Sequence, residues 1–501
     1  MLLTQVIDGL AYELLQGAVD KEITGISSDS REIDKGGLFV AISGFSMDGH
    51  LFINKAVSNG ASVVIVEKDE VWVDEQVTVL KVQDTRTALA RVASNFYGNI
   101  SEKMNLIGVT GTNGKTSITY FLQSIFEQAG RPLGVIGTMG TVIGKRRIYT
   151  KNTTPESNNL QKLFSEMVQS RVENCVMEVS SHGLSLNRVA YTHFNTGIFT
   201  NLTPDHLEFH HTMRDYFEAK AKLFGMTSDY NIINADDPFG RVLISRLRSN
   251  KTKLLTYGLK NTADFYPENI EYHIDHTVYT LNTPRGSIQI RVNLPGEIYV
   301  YNSLAAIAAA YCNQISLKQI ADGINSVRSI SGRLEVVYED QDNRIIVDFA
   351  HTEDALEKTI KTIRPFTKGR IILVFGVYAD DSEEGRAKRN GMAKIASLHA
   401  DLSVITTDNP KEQDNQIIIQ GIEEGMKFFD GTYKTVVDRR EAIEHAISSS
   451  SPGDVILITG KGHETSQIIG KDSIPFNDAE IVKQIQANRN KQMVIKSNVL
   501  F

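Results

Sequence analysis

Short apolar runs alternating with helical patterns predict an α/β protein of three domains, built on largely parallel sheets. Three observations carry this reading. An apolar run at 104–109 opens into Gly111-Thr112-Asn113-Gly114-Lys115-Thr116-Ser117. Ile118, Phe121, Leu122, Ile125 and Phe126 then recur at helical spacing until Gly130. Further apolar runs at 175–179, 196–200 and 230–233 are separated by helical patterns. From about residue 333 a second alternation begins, with runs at 345–349, 371–375, 402–406 and 455–459. Finally, 501 residues are too many for one core. The expected domains are 1–98, which mixes short strands and helices, 99–332, which opens with the glycine loop, and 333–501, a second doubly wound unit. Residues 491–501 read as a loosely held tail.

Composition narrows the function. A formal net charge of −7 argues against a nucleic-acid surface. Two cysteines, Cys175 and Cys312, make neither a disulfide framework nor a metal cluster, and both lie in apolar stretches. No basic, then apolar, leader opens the chain, and no apolar run is long enough to span a membrane, so the cytoplasm is the expected compartment.

A strand, a glycine loop and a helix form the context of a phosphate-binding loop. Gly111 and Gly114 let backbone N–H groups converge on phosphate oxygens, with the helix N-terminus adding partial positive charge. Lys115 would reach the terminal phosphates and Thr116 would hold Mg²⁺. The position five before Gly114 is Val109 rather than Gly, so the alternative is a tight strand–helix turn. Glu178 ends a strand and could hold Mg²⁺ directly or through water; the alternative is a solvated or helix-capping Glu. Residues 201–211, with His206, His210, His211, Asp205 and Glu208, suggest metal or acid–base chemistry, or else a polar loop, and lack the spacing of a zinc site. Phe217, Ala221 and Phe224 make an apolar helical face, which leaves Lys220 and Lys222 as solvated lysines on local pattern alone.

Taken together the motifs resemble the Mur ligases, and within them the branch that adds the third amino acid of the peptidoglycan precursor. The resemblance rests on Thr110-Gly-Thr-Asn-Gly-Lys-Thr116, Asn152-Thr-Thr-Pro-Glu156, Met177-Glu-Val-Ser-Ser-His-Gly183 and Thr200-Asn-Leu-Thr-Pro-Asp-His206. Ser331-Gly-Arg333, Val347-Asp-Phe-Ala-His-Thr352, Asp408-Asn-Pro410 and Thr459-Gly-Lys-Gly-His-Glu464 follow in the expected order. It implies an ATP- and Mg²⁺-dependent amide-forming ligase. The N-terminal domain would bind a UDP sugar, the central domain ATP, and the Rossmann-like C-terminal domain a free amino acid. The acceptor would be a UDP-N-acetylmuramoyl dipeptide, activated as an acyl phosphate, and the protein a monomer. Glu178 and His206 match magnesium positions, and Lys220 matches a carbamylated lysine that becomes an anionic magnesium ligand, which displaces the solvated-lysine reading. Asn302 and Arg333 match positions near adenine and ribose; Asp348 and His351 match the edge of the ATP site. Ser27, Ser30 and His50 resemble uridine contacts; Thr153, Thr154, Ser180 and Arg188 resemble contacts to the muramoyl dipeptide. Asp408, Asn409, Gly460 and Glu464 resemble the amino-acid site, Glu464 facing a far ammonium, and Arg389 fits a carboxylate-gripping position.

The departures concern specificity. Lys411 stands where diaminopimelate-adding members carry Arg, a point charge in place of a planar fork. The loop 376–390 keeps only Gly376, Asp380, Lys388 and Arg389 of the family pattern, and Leu186 and Tyr299 replace a common Gln and Asn. Meso-diaminopimelate is the expected amine. A specialised paralogue using L-lysine or another amine or acceptor, and a non-catalytic nucleotide-binding regulator, are the alternatives.

Overall fold

The structure is a computed structural model, and it describes residues 1–499 apart from 45, 46, 70, 72, 341, 342 and 379, together with all side chains in that span except those of 490 and 492–499. Ala379, inside the divergent 376–390 loop, and the last residues of the expected tail therefore lie outside the described residues.

The N-terminal sheet has five strands in the order Glu13–Gln16, Thr78–Lys81, Ala61–Val66, Gly37–Val40 and Ile26–Ser27, with only the first antiparallel. Val63, Val64, Ile65 and Val66 are all buried, as a strand covered on both faces requires.

The central sheet has eight strands, in the order Lys253–Tyr257, Thr227–Asn234, Phe194–Phe199, Asn105–Thr110, Asn174–Glu178, Leu133–Gly137, Gly140–Ile143 and Arg146–Ile148. The first six are parallel and the last two form an antiparallel edge. Asn105–Thr110 feeds the glycine loop from between two partners, with Glu178 opposite Val109 and Phe199 opposite Thr110. The chain turns to one side of this strand first and to the other later, so the loop occupies the point where strand order reverses.

A three-stranded antiparallel sheet, Tyr266–Tyr272, Thr277–Thr283 and Gly286–Val292, follows within the central zone and was not resolved from the sequence. The helix Glu297–Cys312 packs between it and the helix Lys115–Gln128. Its run Leu304 to Ala310 is buried on every side, which is why it lacks an amphipathic stripe.

The C-terminal sheet has six strands ordered Glu335–Glu339, Arg344–Asp348, Val455–Thr459, Ile371–Phe375, Leu402–Ile405 and Tyr433–Thr435, parallel except for the first. A hairpin, Ser466–Ile469 with Asp472–Pro475, precedes the final helix, Asp478–Val499. Within the expected tail the backbone is helical through Val499. Val482 and Ile485 join the core, and Asp478 takes a two-pronged ion pair from Arg439 at 2.8 Å per arm with both side chains fully buried.

That pair ties the last helix to the strand Val455–Thr459, because Arg439 also donates to the Thr459 carbonyl at 2.9 Å. Removing one partner strands a buried charge, so Arg439→Met or Asp478→Asn should lower stability by about 3–5 kcal/mol in urea unfolding. Replacing both partners with apolar residues together should recover most of that loss.

Candidate active site

The glycine loop is held from beneath by the end of the neighbouring strand. Asn201 accepts from Thr112 N through its carbonyl and from Asn113 N through Oδ1, both at 2.9 Å, and Thr200 Oγ1 donates to the Asn113 carbonyl at 2.7 Å. Gly111 has φ 143° and Gly114 φ 96°. A Cβ at Gly111 would stand 1.8 Å from Thr200 Oγ1, and one at Gly114 2.3 Å from Asn302 Oδ1. Both glycines are therefore required by space as well as by backbone conformation. Lys115 begins the helix, with Thr116 and Ser117 buried in its first turn. Its Nζ donates to the Gly111 and Thr112 carbonyls, each at 2.9 Å, and burial draws its pKa down.

On one flank stands Glu178, buried at the end of its strand. Its Oε1 accepts from Thr116 Oγ1 and Thr138 N, and its Oε2 from Thr138 Oγ1, all at 3.0 Å. This ordered carboxylate answers the alternative of a solvated or capping Glu. Around it gather the expected dipeptide contacts. Thr153 Oγ1 lies 3.1 Å from Thr138 Oγ1. Thr154 Oγ1 donates to the Glu178 carbonyl at 2.9 Å and accepts from Ser180 N at 3.0 Å. Arg188 donates to the Thr154 carbonyl at 3.1 Å and pairs with Glu156 at 2.8 Å, leaving its buried Nε without a partner. Arg86 of the N-terminal sheet region comes within 4.0 Å of Glu156, so this cluster lies where the two units meet.

On the other flank Lys220 is 1% exposed and donates to the Gly111 carbonyl at 2.8 Å, with Nζ 4.5 Å from the centre of the Tyr216 ring. The local reading of a solvated lysine holds for Lys222, which is exposed, and fails for Lys220. Burial first, and then the charge of Lys115, push the Lys220 pKa far below the usual lysine range. Tyr216 also lies 3.2 Å from Thr112 Oγ1 and packs edge-on against His206. His206 is flanked by Asp205 at 3.4 Å and Glu208 at 3.6 Å and stacks edge-on with His182. His210 Nε2 is buried without a partner in the same group. Among the described residues no three His, Cys, Asp or Glu side chains converge as a metal cluster. The donors suited to Mg²⁺ are mixed: Thr116 and Glu178 on one side, and His206 with Lys220 on the other, Lys220 only once it carries oxygen.

The C-terminal unit closes the loop from above. Arg333 Nη2 donates to Thr116 Oγ1 at 3.4 Å while its guanidinium lies 4.3 Å from the centre of the Phe349 ring. Asn113 Nδ2 donates to Asp354 at 3.3 Å. His351 is fixed by its Nδ1 against the Phe349 carbonyl at 2.8 Å, and burial holds its pKa at about 4, so the ring is neutral. Burial opposes ionisation of Asp205, yet the fields of His206, His351, Lys388 and Lys115 bring it to about 2. Asp348 accepts from Leu334 N, Ala350 N and Thr359 Oγ1, and burial raises its pKa. The bond to Leu334 N braces the loop that carries Arg333.

Of the expected amino-acid contacts, Asp408, Asn409, Gly460 and Glu464 form a second cluster at the ends of the C-terminal strands. Asn409 Nδ2 donates to Glu464 Oε2 at 2.8 Å, and Asp408 lies so close to Gly460 that a Cβ there would meet its Oδ2 at 2.4 Å. Lys411, at φ 53°, is pinned by backbone bonds to Ile468 and Gly470, and its Nζ lies 3.9 Å from the centre of the Tyr378 ring. Arg389 is buried, donates to the Asp380 carbonyl at 2.6 Å and reaches Asp381 at 3.4 Å. In the N-terminal unit Ser27 Oγ accepts from Asp29 N, and the Ser30 carbonyl accepts from Asn59. Both nitrogens of His50 are engaged, by Asp48 at 2.7 Å and by Glu67 N at 3.1 Å, which leaves the ring face for any ligand.

Sequence reasoning assigned no role to Lys461, Arg439, Asp478, Thr138, Tyr216 or Tyr378. Lys461 lay within a motif already singled out. Arg439 and Asp478 are 39 residues apart and carry no local signal. A cavity of about 280 Å³ lies between the three-stranded and C-terminal sheets, lined by Leu294, Leu334, Val336, Ile346 and Phe366.

A phosphate loop roofed by a second α/β unit, with a separate polar cluster on that unit, defines a nucleotide-dependent ligase of three units. The chain belongs to the Mur ligase family: the Mur ligase catalytic domain matches residues 22–97, the middle domain 109–310 and the glutamate ligase domain 332–462. It is similar to the UDP-N-acetylmuramoyl-L-alanyl-D-glutamate--2,6-diaminopimelate ligases of Clostridioides difficile strain 630, 44% identical over 97% of this chain and 99% of that one, and of Alkaliphilus metalliredigens strain QYMF, 42% identical over 97% of each. A solved structure of a ligase with that name superimposes with a TM-score of 0.68 at 28% identity, covering 98% of this chain and 99% of that one.

Gly114→Ala should weaken ADP binding by about 100-fold or more in calorimetry, since it combines a left-handed backbone with the Asn302 clash. Gly225→Ala, in open space, should leave it unchanged. His351 gives a pH signature. The unfolded chain takes up its proton near 6.5, the folded chain only near 4, so this group withdraws stability as pH falls through that window. Thermal scans should show a smaller loss across the window for His351→Gln than for the parent.

Proposed function

We propose that this chain joins meso-diaminopimelate to UDP-N-acetylmuramoyl-L-alanyl-D-glutamate at the expense of ATP, as a monomer in the cytoplasmic stage of peptidoglycan precursor synthesis. The observation that carries this reading is the full-length similarity to ligases of that name. The domain limits 1–98, 99–332 and 333–501 are proposed as the units of UDP-sugar, ATP and amino-acid binding.

The glutamate carboxylate attacks the γ-phosphorus of ATP, the bond to the ADP oxygen breaks, and an acyl phosphate forms. The free amine then adds to the acyl carbon, and the tetrahedral intermediate expels phosphate and releases a proton, leaving the amide. Lys115, released from its loop carbonyls, meets charge on the transferring phosphoryl group. Mg²⁺, when bound, supplies further neutralisation there; Thr116, Glu178, His206 and Lys220 are the residues proposed to hold it. Thr153, Thr154, Ser180 and Arg188 are proposed to hold the dipeptide beside Glu178, with Ser27, Ser30 and the His50 face toward the uridine.

Lys220 is proposed to act as its carbamate. Burial favours the neutral amine, which is the nucleophilic form: its nitrogen bonds to the carbon of CO₂, one proton leaves, and the neutral amine becomes an anion. The carbamate N–H can keep the bond to Gly111 while its oxygens face a metal.

The amine pocket is proposed to include Asp408, Asn409, Lys411, Gly460, Glu464 and Arg389. Lys411 rests over Tyr378, and its cation suits a second carboxylate better than an ammonium. The function is tested by phosphate release with ATP, Mg²⁺ and the UDP-dipeptide across a panel of amines. Release with meso-diaminopimelate alone is expected; release only with L-lysine or another amine would refute the assignment. Lys411→Arg should lower the KM for diaminopimelate by several-fold and leave that for ATP unchanged.

A further inference from the structure

The floor of the second cluster is organised by a residue that no role above includes. Lys461 follows Gly460 and is fully buried. Its Nζ donates to Asn409 Oδ1 at 2.9 Å, Glu464 Oε2 at 2.7 Å and the Ser466 carbonyl at 2.7 Å. An ammonium has three N–H bonds, and all three are engaged. Lys461 is therefore not free to hold a ligand and acts by fixing its neighbours.

The consequence falls on Glu464. Lys461 and Asn409 Nδ2 both bond to its Oε2, while among the described residues no hydrogen bond reaches Oε1. Asn409 is clamped in the same way: Oδ1 accepts from Lys461 and from Ile468 N at 3.0 Å, which fixes which end of the amide faces Glu464. One carboxylate oxygen is thus locked and the other presented.

We propose that Lys461 is the positioning residue of the amine pocket, holding Asn409 and Glu464 so that Glu464 Oε1 receives the side-chain ammonium of the incoming amino acid. This rests on the reading of the cluster as the amine site.

The test compares Lys461→Met, Glu464→Gln and the double variant with the parent, by phosphate release with meso-diaminopimelate. Lys461→Met should raise the KM for the amine by at least ten-fold and change the KM for ATP and for the UDP-dipeptide by less than two-fold. The double variant should be no worse than the poorer single one, because Lys461 acts through Glu464. An unchanged amine KM, a parallel rise in all three constants, or fully multiplicative effects would overturn the proposal. If Lys461→Met does not fold, Lys461→Arg replaces it: it keeps the charge but cannot seat three acceptors about one nitrogen, and an unchanged amine KM would again overturn the proposal. A parent that turns over only with another amine refutes the diaminopimelate reading, and the same comparison is then made with that amine.

Discussion

The Gly111 carbonyl is the point on which the central site depends. It accepts from both Lys115 and Lys220 within 2.9 Å, so two lysine nitrogens share one oxygen in a buried pocket. As ammonium ions they would repel each other, and the charge of Lys115 disfavours the charged form of Lys220. Each also loses its hydration. The arrangement is relieved when one nitrogen becomes neutral or when anions enter, and the chemistry proposed here supplies both. Nucleotide phosphates would draw Lys115 away from its own loop, and a carbamate would reverse the sign at Lys220. The neutral Lys220 is also the form that adds CO₂, so the strain between the lysines and the proposed modification have one origin.

The surrounding elements serve that point. Gly111 and Gly114 leave the space occupied by Thr200 and Asn302, so the loop cannot move away from the strand Phe194–Phe199 or the helix Glu297–Cys312 without opening a void. Asp205 stays ionised among His206, His351, Lys388 and Lys115, which belong to both the central and the C-terminal units. That shared carboxylate, with the Arg333–Thr116 and Asn113–Asp354 bonds, couples the position of the C-terminal unit to the state of the loop. The cluster proposed to hold the amine lies on the same C-terminal unit, at the ends of its strands.

Much of this architecture was legible because parallel strands buried on both faces read as continuous apolar runs, and the glycine loop punctuates one of them. The strands at 105–110, 174–178, 371–375 and 455–459 fall within a residue of their apolar runs. The three-stranded sheet was missed because residues such as Glu268, Glu271 and Arg291 break its apolar pattern, one face being open to solvent. The final helix was underestimated because its anchor is the Arg439–Asp478 pair, a contact across 39 residues with no local trace. Lys220 looked solvated because a helix pattern reports its own faces and not a carbonyl 109 residues away. Lys461 lay inside a recognised motif, but its three acceptors come together only when the hairpin from Ser466 folds back on Asn409.

The most direct test of the Gly111-centred account is ¹³C NMR of the purified protein equilibrated with ¹³C-labelled bicarbonate, comparing the parent with Lys220→Arg and Lys115→Met. The account predicts one slowly exchanging carbamate resonance in the parent, retained in Lys115→Met and absent from Lys220→Arg. A folded, active parent with no carbamate signal, or a signal that survives Lys220→Arg, would contradict it.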